Sequence, residues 1–102
     1  MPTAYDLKDR NRVADLSINA TTATGTATIT EGGEYTIYCK DSVDCFVRVG
    51  ATANNTMPAN SQRLISGNMV EVIVEKGQKI WAMCETGTAT LEICKVRANI
   101  YY

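Results

Sequence analysis

Four cysteines are the residues of this 102-residue chain best equipped for chemistry, and they come in two pairs, Cys39 with Cys45 and Cys84 with Cys94. A thiolate can attack a carbonyl, exchange with a disulfide or ligate zinc, and the spacing discriminates among these. Zinc knuckles separate their cysteines by two to four residues, and a thioredoxin-like redox pair separates them by two at the start of a helix. Here the intervening stretches are longer and contain turns, so neither site is expected. The chain has no histidine, which removes Ser/His and Cys/His nucleophile pairs, imidazole metal ligands and the commonest general base. Gly32-Gly33 lies between strand-like segments and opens no helix, so it does not read as a phosphate loop. Asp41 with Asp44 and Glu71 with Glu75 are the acidic pairs. The first reads as turn chemistry and the second as outward positions of a strand. The chain is therefore expected to be no enzyme, with no cofactor and no metal. The cysteines read as reduced thiols, with Cys39, Cys45 and Cys84 facing a core and Cys94 turned to the opposite face beside Lys79.

The elements that must carry these residues are mostly strands. The chain has thirteen threonines, and its valines and isoleucines gather in short alternating runs that suit a pleated surface. The runs are 35–40, 44–49, 69–75, 79–84 and 89–96, with a sixth in "TGTATIT" and either a short strand in "QRLIS" or a functional loop between the first pair and the rest. Three hairpins are predicted from register. Asp41-Ser42-Val43 would set Cys39 opposite Cys45, Lys76-Gly77-Gln78 would set Val74 opposite Ile80, and Thr86-Gly87 would set Cys84 opposite Ala89. All three leave one inward row: Tyr35, Ile37, Cys39, Cys45, Val47, Val49, Val70, Val72, Val74, Ile80, Ala82, Cys84, Leu91 and Ile93. Two facing sheets would bury it. The expected organisation is all-β, a single small sandwich domain over 25–102 with an extended N-terminal arm over 1–24.

The length fits one domain. Ten basic residues against eleven acidic ones create no field for nucleic acid or an anionic membrane. No apolar run is long enough for a helical membrane span, and the start lacks a secretory h-region, so synthesis in the cytoplasm is expected. The informative departure is the face away from the core, which carries Tyr38, Phe46, Met69, Ile73, Trp81, Met83 and Val96 among charged residues. A face in water should be more polar. Either a loop or terminal segment covers it or it meets another protein, and the terminal "VRANIYY" favours docking.

The order of a β-hairpin, "VGATANNTMPANSQRLI" and "VEVIVEKGQKIWAMCETGTATLEI" resembles small bacteriophage virion proteins, over about residues 33 to 94. The resemblance implies a jelly-roll-like or other β-sandwich fold and the role of a head decoration, or cement, protein. Such a protein is made in the host cytoplasm and binds the outer surface of the mature capsid. Its partners would be the major capsid protein and copies of itself, as a homo-oligomer, with no nucleic acid or membrane. Aromatic anchors with charged surrounds would carry the contact, here Trp81, Tyr101, Tyr102, Phe46 and Tyr5, with Arg63, Arg48 and Arg97. The alternatives are a carbohydrate-binding or host-recognition module of a fibre or spike, with Trp81 or Tyr38 as a stacking platform, and a head-to-tail structural component.

Overall fold

The structure is a computed structural model that describes residues 10–52 and 61–96, Arg10 by its backbone alone. Tyr5, Arg97, Tyr101 and Tyr102 lie outside the described residues. Eight strands follow one another: β1 (Arg10–Asn19), β2 (Thr24–Gly25), β3 (Gly33–Cys39), β4 (Cys45–Gly50), β5 (Gln62–Leu64), β6 (Met69–Val74), β7 (Lys79–Cys84) and β8 (Thr88–Val96). Among the described residues there is no helix. The strands form two four-stranded antiparallel sheets, sheet A in the order β1-β8-β3-β6 and sheet B in the order β2-β7-β4-β5.

The inward row lies between the sheets. Tyr35, Ile37, Cys39, Cys45, Val47, Val70, Val74, Ile80, Ala82, Cys84, Leu91 and Ile93 are buried, and Val49 and Val72 pack against them partly buried. Leu16, Ile18, Leu64 and Ala89 complete the core. The pairing differs from the sequence expectation. None of the three predicted hairpins forms: β3 pairs with β6 and β8, β4 with β5 and β7, and β7 with β2 and β4. Each predicted hairpin is instead a link from one sheet to the other. Alternation within a strand determines which side chains face inward, and a cross-sheet link preserves that facing as well as a hairpin does. Even the short link 85–87 can bridge the roughly 10 Å between packed sheets. Gly77 and Gly87, with φ of 95° and 64°, permit two of these abrupt reversals.

Two further segments differ from expectation. Of the segment read as an N-terminal arm, Arg10–Asn19 is instead a strand of sheet A paired along its length with β8, and residues 1–9 lie outside the described residues. Of "TGTATIT" only Thr24–Gly25 is strand. The chain then crosses toward sheet A, held by Thr26 N–H to the Ile80 carbonyl and by mutual bonds of Ile29 with Gln78 and Gly77. The buried Thr26 hydroxyl also accepts the Ile80 N–H. "QRLIS" does contain a strand, β5.

Candidate interaction surfaces

The sheet order divides the over-apolar face of the sequence reading into two surfaces on opposite sides of the molecule. Phe46, Arg48, Arg63, Lys79, Trp81 and Met83 share the parity that points away from the core on sheet B, whereas Tyr38, Met69, Ile73 and Val96 do so on sheet A.

On sheet B the aromatic rings are covered by their own neighbours. Trp81 stands between Arg48 and Gly25 in register, and its indole N–H donates to the Gly50 carbonyl at 3.1 Å. A Cβ on Gly25 would meet the indole ring at 2.7 Å, so the ring lies over the only residue type that leaves room for it. The Lys79 ammonium sits 5.5 Å from the Trp81 ring and the Arg63 guanidinium 5.4 Å from the Phe46 ring, within cation–π range. Met83 is buried. Arg63 is also held from its other side, donating to Asp44 Oδ2 at 2.7 and 3.1 Å and to Glu85 Oε2 at 3.0 Å. Asp44 accepts the Ser66 N–H at 2.8 Å. That backbone bond, followed by the Arg63 guanidinium, holds the Asp44 carboxyl below its ordinary pKa, and Asp44 and Glu85 hold the Arg63 guanidinium above its own. Arg48 Nε is buried without a hydrogen-bond partner among the described residues. Of the four described residues expected at an interface, Trp81, Phe46 and Arg63 are thus engaged within the chain.

On sheet A three of these four apolar side chains are open, and Val96 is buried. Met69 is 52%, Ile73 69% and Tyr38 40% exposed. Tyr38 faces Met69 across β3 and β6, and Glu34 faces Ile73. Beside them runs a charged cluster in which Lys40 Nζ lies 3.2 Å from both Asp15 oxygens and 3.6 Å from Glu92, and Arg12 lies 3.5 Å from Asp15 and 4.0 Å from Glu92. These pairs are half-exposed and add little stability. They rim an apolar patch, the arrangement interfaces show. The outward positions of "MVEVIV" carried this signal, whereas ring size drew the interface expectation to Trp81 and Phe46.

Three of the cysteines converge at one end of the core. Cys45 Sγ lies 3.4 Å from Cys39 Sγ, across the sheets and not across a hairpin, and Cys84 is the cross-strand neighbour of Cys45. Burial first, then the hydrogen bond with Cys39, pushes the Cys45 thiol far up, and burial likewise raises Cys84. Thiols held protonated are poor nucleophiles. Cys94 does face away from the core, but on sheet A beside Thr36 and Arg12. It is not beside Lys79, which belongs to sheet B.

A cleft of about 240 Å³ opens between β1 and the 26–31 crossing. Lys95 is spoken for there, 5.5 Å from the Tyr35 ring and 3.8 Å from Glu31, while the Tyr35 hydroxyl donates to the Glu31 carbonyl. Among the described residues no group of three or more acidic or cysteine side chains could hold a metal ion. No protein-family model matches the chain, and no curated protein or solved structure is significantly similar to it, so function has to be read from these surfaces.

Proposed function

We propose that the chain is a jelly roll acting as a non-enzymatic decoration protein of a bacteriophage head, binding the outer surface of the mature shell and stabilising it through contacts between subunits. The fold reading is supported by the two strand orders, β1-β8-β3-β6 facing β2-β7-β4-β5. Apart from β4 and β5, which are neighbours in sheet B, successive strands alternate between the sheets in the double Greek-key manner of jelly rolls, an architecture used by viral capsid domains and by lectins. Because a fold hosts many functions, the surface carries the rest. The single observation that favours assembly is the exposed Tyr38, Met69 and Ile73 row with its charged rim. A glycan platform is less favoured, because Trp81 is bonded through its indole N–H and lies under Lys79.

A decoration protein stabilises its shell by binding the expanded state in preference to others, and many weak contacts add up around the particle. Purified protein added to expanded, undecorated capsids should bind to saturation and raise the temperature at which the shells melt. Absence of binding, together with retention on a glycan column, would replace this function with the recognition module.

A further inference from the structure

The two sheets differ at their edges. Sheet B ends in the two-residue β2 and the three-residue β5, short edges that give another chain little to pair with. Sheet A ends in the ten-residue β1 and the six-residue β6, and among the described residues each has one neighbour in the sheet, β8 and β3. β6 contains no proline or lysine, two devices that commonly protect an edge. The edges also differ in charge. Residues 69–75 carry Glu71 and Glu75 and no cation, whereas β1 begins with Arg10 and Arg12. The Arg12 side chain is 60% exposed despite its contacts with Asp15 and Glu92. Each edge presents apolar surface, Met69 and Ile73 on β6 and Val13, 50% exposed, on β1.

We propose that β6 of one copy adds to β1 of a second copy, so that sheet A continues from molecule to molecule. Every neighbouring pair in the four-stranded sheet is antiparallel, so β1 and β6 run in opposite directions. A second copy set beside the first in the same orientation therefore brings β6 to β1 antiparallel, with both cores on the same side. When Glu71 is opposite Arg12, Val70 falls opposite Ala14 and Met69 opposite Asp15. Inward residues meet inward ones because the register shift between Arg12 and Ala14 takes up one residue. Pairing β6 with another β6 is disfavoured. A twofold at Glu71 sets the glutamates directly opposite, and one at Val72 brings Glu71 and Glu75 of both copies into diagonal reach on one face. The β6 to β1 contact is heterologous, so it repeats into a ring or an open filament. It rests on the assembly reading above and names the neighbour.

Sedimentation velocity of the full chain over a concentration series tests this. Wild type should grow beyond a dimer, while Glu71→Arg alone or Arg12→Glu alone should weaken association by about tenfold or more, since each sets like charges opposite. An equimolar mixture of the two variants should associate like wild type, because each supplies the charge the other lacks. A wild-type protein that remains monomeric throughout would overturn the self-pairing, and if it still binds capsids the decoration function stands without it. Dimers of Arg12→Glu as strong as those of wild type would also overturn it, in favour of β6 against β6.

Discussion

At Trp81 the choice between a folding residue and an interface anchor turns on Gly25. The indole occupies the space a Cβ would take at Gly25, 2.7 to 2.9 Å from ring carbons, and its N–H is bonded to Gly50. Gly25→Ala should therefore displace the ring at a cost of about 1–3 kcal/mol, the range for overpacking. Trp81 is the only tryptophan, so its emission should shift to the red in the same variant. Unchanged stability and emission would place the indole elsewhere. Asp44 provides a pH-dependent contribution. Its carboxyl is held below its ordinary pKa, first by the Ser66 N–H and then by Arg63. A group depressed in the folded state stabilises above its unfolded pKa, near 3.9, and that contribution disappears as pH falls through the folded value. Wild type should accordingly exceed Asp44→Asn in urea midpoint at neutral pH, and the gap should close as pH falls below about 4. A gap unchanged by acid would mean that the carboxylate charge contributes nothing.

At the scale of elements, the inward row was legible and the pairing was not. All fourteen residues assigned to the core from alternation pack there, because a period of two within each strand is a local property. Which strand lies beside which is a non-local property, and the links after β3, β6 and β7 fit a tight hairpin and a step between sheets equally well. Cys39 and Cys45 illustrate the ambiguity, meeting at 3.4 Å from opposite sheets where the hairpin reading had them adjacent in one. β1 was obscured for a different reason. Val13 and Leu16 stand three residues apart, a spacing that mimics a helix, and the register shift between Arg12 and Ala14 interrupts the alternation that Leu16 and Ile18 continue. The observed order makes β8, β3, β7 and β4 interior strands and the other four edges. Hydrogen exchange should follow that division, with the amides of β8 and β3 slowest and those of β6 and β5 divided between bonded and exchanging positions. Protection of β7 and β8 as one hairpin, independent of β4 and β3, would contradict the sheet order.

Over the whole molecule, two features narrow the function. Of the thiols gathered at one end of the core, Cys45 and Cys84 are held protonated by burial, which makes them poor nucleophiles. The outer surfaces are unequal: sheet B covers its aromatics with Lys79 and Arg63, while sheet A leaves Met69 and Ile73 more than half exposed. The sequence made the excess of apolar residues visible, but not its division between two sides, because the expected hairpins grouped Tyr38 with Phe46 and Met69 and Ile73 with Trp81 and Met83, residues that lie on opposite sheets. An assembly component uses such asymmetry, with one side committed to its own stability and the other to neighbours. A cryo-EM map of the parent particle tests this most directly. It should show the sandwich repeated over the outer surface of the head, with Tyr38, Met69 and Ile73 against adjacent subunits. A sandwich at a fibre tip, or on the head with that row facing solvent, would contradict it.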